Sequence, residues 1–320
     1  MQVNFRQFVR TKMFTLLVLL VLLVVVFTVF SSGAFLRPRN IRNIFQATVT
    51  VSLLTIGAGT LMIAGYIDLS LGGVGTMCAM LAAYLMRTGA PWYVAMLTAI
   101  VLGGISGAVN AVLVNELNFQ SFIATLATAS VAQGFMAVIS QGRQIDIFNR
   151  VFNFIGGDRF YDDLIPYSLI ISLLALLVYG LILRKTKFGR SVYLTGGNAE
   201  ASRLAGLRPK RVSYILFINA GALAALAGML LAGRLKTANT VGITTSQFAG
   251  MTAAILGGIS FGGGSGGMGG ALVGILILNS FNNGMTVIDV PVYWQSVASG
   301  TLLLVALAAD FISARKRAQN

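Results

Sequence analysis

Ionisable and nucleophilic side chains are scarce in this chain of 320 residues: nine are acidic, one is cysteine and none is histidine. Without histidine there is no imidazole base, no His-based triad and no His metal site. A lone Cys78 excludes an intramolecular disulfide framework and a multi-cysteine zinc or iron–sulfur centre. The sequence therefore predicts no catalytic residue and no metal ligand. One acid stands apart. Asp68, in Gly65-Tyr66-Ile67-Asp68-Leu69-Ser70-Leu71-Gly72, separates two uncharged runs. A carboxylate there either belongs to a functional path through a membrane or caps a helix, Asp68 or Ser70 satisfying the free N–H groups that open segment 70–86. Neutral amides form a second group: Asn110, Asn115, Asn279, Asn282 and Asn283, with Gln133, Gln247 and Gln295. They donate and accept, which suits a polyhydroxylated solute, and they suit hydrogen bonding between helices equally well. Asp68, Ser70, Asn110, Asn279, Asn282 and Asn283 are the candidate substrate-pathway residues.

Glycine accounts for 37 of the 320 residues, against about 7% in an average chain. The densest run, Gly257-Gly258-Ile259-Ser260-Phe261-Gly262-Gly263-Gly264-Ser265-Gly266-Gly267-Met268-Gly269-Gly270, tempts a phosphate-loop reading. It lacks the lysine of a Walker loop and sits between apolar stretches, so that reading fails. It reads instead as a tight turn or broken helix between packed spans, or as a hinge with exposed backbone along a pathway. No nucleotide site is visible, and any ATP that drives this protein binds to another chain. Gly103-x3-Gly107 and Gly266-x3-Gly270 have the spacing that lets membrane helices approach closely.

The elements that position these residues follow from composition. Apolar residues make up 56% of the chain and charged residues 10%, against about 25% charged in a soluble domain. Mean hydropathy is +0.83. Uncharged runs cover 13–36, 43–67, 69–86, 88–115, 117–142, 164–183, 212–233, 237–288 and 290–309. The run 237–288 is too long for one span and divides into pieces centred on 248–265 and 269–285. This predicts an all-α polytopic membrane protein with about ten transmembrane helices, a single transmembrane domain over 1–320, and no soluble domain. The segment 13–30 has a basic front, but its apolar core exceeds the roughly 7–15 residues of a cleaved signal. Net charge is +14, and Lys/Arg collect in the gaps between apolar runs, which argues for membrane orientation rather than nucleic-acid binding. Eight of the 23 lie in 184–211, three before residue 13 and three after residue 314, against nine in the remaining segments. That bias puts both termini and the loop 184–212 in the cytoplasm, with Arg37, Arg39 and Arg42 running against it. A faint internal echo pairs Ile63–Ile67 with Ile255–Ile259 and Val109–Asn115 with Val273–Asn279.

Within the loop 184–212, Gly196-Gly197-Asn198-Ala199-Glu200-Ala201-Ser202-Arg203-Leu204-Ala205-Gly206 reads as a short helix. Asn198 is an N-cap, Glu200 suits the first-turn dipole, and Gly206 with Pro209 beyond it stops the helix. Two turns are unstable alone, so the helix needs a surface to dock on.

In this order and on these spans, several motifs together resemble the permease subunits of bacterial ABC importers for monosaccharides, the ribose-type family related to branched-chain amino acid permeases. They are Gly65-Tyr66-Ile67-Asp68-Leu69-Ser70 with Gly72, Phe122-Ile123-Ala124-Thr125-Leu126, Thr186-Lys187-Phe188-Gly189-Arg190 with Gly196-Gly197-Asn198 and Arg203-Leu204-Ala205-Gly206, Gly257-Gly258-Ile259-Ser260, and Asn282-Asn283-Gly284. The resemblance spans roughly 40–312. It implies an inner-membrane permease pairing with a second copy or a non-identical permease. It further implies ATPase subunits that hold ATP and Mg on a separate chain, and a periplasmic sugar-binding protein. The segment Gly196, Gly197, Asn198, Glu200, Ala201, Arg203, Leu204, Ala205 and Gly206 would be the coupling helix seated in the ATPase. The chain departs from the family at Ser246-Gln247-Phe248-Ala249-Gly250, where acids are common, at Ser265-Gly266-Gly267-Met268, which is often basic, and at Tyr66, where glycine is usual. The alternatives are a branched-chain amino acid permease and an ion-coupled secondary transporter, the latter needing paired intramembrane carboxylates.

Overall fold

The computed structural model describes residues 12–160 and 164–319, with no side-chain placement for Lys12 or for 313–319. Arg6 and Arg10 lie outside it, as do the side chains of Lys12, Arg315, Lys316 and Arg317. The described residues form thirteen α-helices: α1 (Lys12–Phe30), α2 (Pro38–Ile63), α3 (Leu71–Arg87), α4 (Trp92–Asn115), α5 (Ser121–Ser140), α6 (Arg150–Gly157), α7 (Tyr167–Lys185), α8 (Lys187–Gly197), α9 (Ala199–Leu204), α10 (Pro209–Leu235), α11 (Ser246–Leu256), α12 (Met268–Val287) and α13 (Val292–Gln319). Two-residue strands make two antiparallel ribbons, β1 (Ile145–Asp146) with β4 (Thr237–Ala238) and β2 (Arg159–Phe160) with β3 (Ile165–Pro166).

Eight helices are long and apolar enough to cross a membrane: α1, α2, α4, α5, α7, α10, α12 and α13. Two of the ten expected spans are shorter. Helix α3 has 17 residues. The piece expected over 248–265 is an 11-residue helix, α11, that stops at Leu256. Its continuation fails because Gly258, Gly263, Gly264 and Gly266 take positive φ, a conformation glycine adopts without a Cβ penalty.

The helix order repeats. Helices α2, α3, α4 and α5 start at 38, 71, 92 and 121, and α10, α11, α12 and α13 start at 209, 246, 268 and 292, each 171 to 176 residues later. The short helix of each half packs on the long helix of the other. A Cβ on Gly75 in α3 would strike the Ala224 carbonyl of α10, and one on Gly250 in α11 would meet Leu54 and Thr55 of α2. Repeats of this kind are common in transporters. Of the two sequence echoes, only Val109–Asn115 with Val273–Asn279 falls on equivalent helices. Ile63–Ile67 with Ile255–Ile259 pairs non-equivalent segments.

Helix α2 is the buried centre, with 89% of its apolar window inside the bundle against 6% for α1. It nonetheless carries buried Thr48, Thr55 and Thr60. Their hydroxyls are spent on carbonyls: Thr48 on Ile44, Thr60 on Ile56 and Thr55 on Gly250 of α11. The outer helices expose Val21, Leu22, Leu304 and Val305, the surface expected where lipid is the solvent. Gly103 and Gly107 of α4 take the carbonyls of Gly221 and Phe217 of α10 at close range, as their spacing predicted. Gly270 likewise abuts Gly257. Gly266 does not act as a helix-contact residue, because it lies in the loop before α12 at φ +117°.

Candidate functional site

Two chain breaks and one short helix organise the site. The first break, 64–70, joins α2 to α3 without helical structure. Extended backbone in a bundle core must find partners, and α5 supplies them. The Ile67 N–H donates to Ser121 Oγ (3.1 Å) and the Leu69 N–H to Thr125 Oγ1 (2.9 Å). Asp68 is buried at 2% exposure. Its Oδ1 accepts from the Ser70 N–H (2.7 Å) and Ser70 Oγ (2.6 Å), and Asn110 Nδ2 donates to Ser70 Oγ (2.9 Å). Asp68, Ser70 and Asn110 thus form one buried cluster at the head of α3. Asp68 Oδ2 and Asn110 Oδ1 are its two acceptors without a protein donor.

The second break, 257–267, joins α11 to α12. Here a carboxylate does the holding. Asp310 of α13 accepts from the Phe261 N–H (2.9 Å) and from Ser260 Oγ (3.2 Å). Sequence reasoning missed Asp310 because it falls one residue past an uncharged run. An acid at the end of a span was the available signal. The helices that clamp the two breaks, α5 and α13, occupy equivalent places in the repeat.

The breaks meet at the end of α8, next to the segment 198–206. The Gly264 N–H donates to the Ile63 carbonyl (2.8 Å). Gly196 lies against both: a Cβ there would strike the Ile63 carbonyl and come within 2.8 Å of the Gly264 nitrogen. Gly196 and Gly197 therefore end α8 rather than begin the short helix expected over 196–206, a correction to the sequence reading. The short helix itself is α9. Asn198 caps it, Oδ1 accepting from the Ala201 N–H (2.9 Å), and Gly206 leaves it at φ +83°. Glu200, Ala201, Arg203, Leu204, Ala205 and Gly206 are exposed. Leu204 is 82% exposed.

At the opposite end of α2 lies a polar cleft of about 450 Å³, lined by Asn43, Thr50, Asn279, Asn282, Asn283 and Gln295 among others. The three predicted asparagines of α12 therefore lie together, apart from the Asp68 cluster. They also tie helices: Asn279 Nδ2 donates to Thr48 Oγ1 (3.1 Å), and Asn283 Oδ1 accepts from Asn40 Nδ2 (2.7 Å). Asn282 Oδ1 accepts from Ser299 Oγ (2.9 Å). Asn43, Ala47 and Thr50 went unremarked in the sequence, although their i, i+4, i+7 spacing on α2 marks one helix face. Among the described residues, Arg234 is the one cation on the lining and no acid is part of it.

Residues 40–307 match the family described as the permease component of the branched-chain amino acid transport system. The chain belongs to this permease family. It is 32% identical over 277 residues to the ribose import permease protein RbsC of Bacillus subtilis, covering 87% of this chain and 86% of that protein. It is 34% identical over 278 residues to the D-allose transport system permease protein AlsC of Escherichia coli (86% and 84%). The L-arabinose ABC transporter permease protein AraH of Azospirillum brasilense is 30% identical over 276 residues (86% and 81%). A solved inward-facing ABC transporter of metal-chelate type shares the fold, with a TM-score of 0.53 at 12% identity, covering 93% of this chain and 98% of that one. The chain is a multi-pass membrane permease subunit.

Proposed function

We propose that this chain is the permease of an ATP-driven importer that carries a monosaccharide or similar polyol from periplasm to cytoplasm. The observation that carries the substrate class is the cleft. Its lining offers asparagine and glutamine amides and threonine hydroxyls, groups that match a solute bearing many hydroxyls. A branched-chain amino acid needs charge-complementary contacts or exposed helix ends, and among the described residues the lining holds Arg234 and no acid. The relatives named for ribose, allose and arabinose agree with the sugar reading. An ion-coupled carrier needs paired intramembrane carboxylates, and Asp68 and Asp310 belong to different breaks, each engaged on a backbone N–H group of its own break.

In this reading a loaded binding protein docks on the periplasmic face of two permease copies in the inner membrane, with the termini in the cytoplasm. ATP and Mg bind on separate ATPase subunits, which grip α9 through Arg203 and Leu204. Their closure moves α8, and Gly196 transmits the motion to the two breaks. The glycine-rich second break is the joint, and the clamped first break is the fixed wall. Substrate choice rests mainly with the binding protein, so the pathway needs no charged site.

The test is uptake of radiolabelled ribose, allose and arabinose in proteoliposomes holding permease, ATPase and binding protein. Uptake of one sugar should stop when the ATPase is omitted. Arg203→Glu should leave hydrolysis running while transport fails. Accumulation by the permease alone, following a proton gradient, would refute the proposal.

A further inference from the structure

A groove of about 820 Å³ opens between α7 and α12 at the end of the bundle that carries the coupling segment. Its wall is apolar: Leu173, Leu177 and Leu181 of α7 face Leu272 of α12. Leu177 is 58% exposed, so this wall looks outward to lipid rather than into the bundle. From Leu173 to Leu183 the wall rises about 15 Å along the helix, half of a hydrocarbon core of about 30 Å. The groove thus has the depth of one leaflet.

Its mouth is built differently. Arg184 at the end of α7 and Arg190 in α8 both line it. Neither is in an ion pair among the described residues. Between them opens the N-terminus of α12, where Gly267 offers no side-chain cap and a Cβ on Gly269 would meet nothing within 4 Å. Tyr193 Oη donates to the Gly266 carbonyl (2.8 Å) and fixes the loop at this edge. Two guanidinium groups and free helix N–H groups over an apolar slot match an anionic headgroup carrying acyl chains. A soluble phosphate would have no use for the leucine wall, and a neutral headgroup would leave the arginines unanswered.

We propose that this groove binds one anionic phospholipid, its phosphate between Arg184, Arg190 and the start of α12 and an acyl chain along Leu173, Leu177 and Leu181. The lipid then bridges α8 to the end of the glycine-rich break, so it braces the joint against the arm that moves it. The bridge adds a partner beyond the transport reading and stands independently of which solute is carried.

The experiment is native mass spectrometry of the full-length chain purified in detergent, titrated with phosphatidylglycerol and, separately, with phosphatidylcholine. The wild type should retain one phosphatidylglycerol per chain and release phosphatidylcholine readily. The double variant Arg184→Gln/Arg190→Gln should bind phosphatidylglycerol roughly 25-fold more weakly, about five-fold per arginine. Leu177→Trp, which fills the slot and leaves charge untouched, should also lose the lipid. If the double variant misfolds, as judged by its melting in phosphatidylcholine, Leu177→Trp alone carries the test. Equal retention by wild type and Leu177→Trp would overturn the proposal. So would displacement of the lipid by millimolar inorganic phosphate, which would mark the arginines as a plain phosphate site. Disulfide cross-linking of Leu177→Cys to a second copy would do the same by showing the groove to be a protein interface.

Discussion

The two breaks solve one problem with different materials. Both interrupt a helix inside the bundle, and both must satisfy backbone N–H groups away from water. The first break uses residues with ordinary φ apart from Gly65, and neutral hydroxyls of α5 receive its N–H groups. Asp68 and Ser70, at 2% and 1% exposure, bury its end next to α3. The second uses glycine at most positions, four of them at positive φ, one carboxylate from α13, and a partly exposed Phe261. Local stability follows buried contacts and protected hydrogen bonds. The first break is therefore built to hold its shape and the second to change it.

The largest effect expected on this contrast comes from Gly196, which touches both breaks. Gly196→Val drives a side chain into the Ile63 carbonyl, so uptake should vanish in the reconstituted complex and the melting temperature should fall, since overpacking costs about 1–3 kcal/mol or more. Asp310→Ala comes next. It strands the Phe261 N–H and the Ser260 hydroxyl, a loss of about 1.5–3 kcal/mol for hydrogen bonds to a charged group. Amide exchange across 258–264 should accelerate while 66–70 stays slow. Acceleration of both segments together would break the comparison.

Thr125→Val should act on the other side of the contrast. It leaves the Leu69 N–H without an acceptor, costing about 1–3 kcal/mol, and Thr125→Ser should restore thermal stability. A milder change is Gly263→Ala, at φ +87° and near the Gly196 carbonyl. Strain at positive φ costs about 1 kcal/mol, so transport should slow more than ATP hydrolysis.

The smallest effect lies at the exposed Glu116–Lys210 pair (2.8 Å). The Lys210 hydrogen bond holds the Glu116 carboxyl below its usual range. A lowered folded-state pKa stabilises the protein above the unfolded value, and that gain is lost as pH falls through the lowered one. The melting-temperature gap between wild type and Glu116→Gln should be small at pH 7 and close in acid.

Much of this architecture was legible in the sequence because lipid imposes a simple code. Uncharged runs located the spans, and Asn198, Glu200 and Gly206 marked α9 through capping rules that need no tertiary context. The end of α11 at Leu256 was not legible, since glycine permits both a tight turn and a long excursion. The grouping of Asn279, Asn282 and Asn283 with Asn43 and Thr50, and of Asp68 with Asn110, depends on which helices cross. Periodicity within one helix carries no record of that. Asp310 left a trace as an acid just past an uncharged run, but its role stayed hidden for the same reason: its partners lie 49 and 50 residues away.

The central claim, that the glycine-rich break moves and the clamped break does not, is open to hydrogen–deuterium exchange on the assembled importer. Peptides covering 257–267 and 64–70 would be followed with and without ATP in the presence of ATPase and binding protein. The account predicts a nucleotide-dependent change in exchange at 257–267 with 64–70 protected throughout. A nucleotide response confined to 64–70, or none in either segment while transport proceeds, would contradict it.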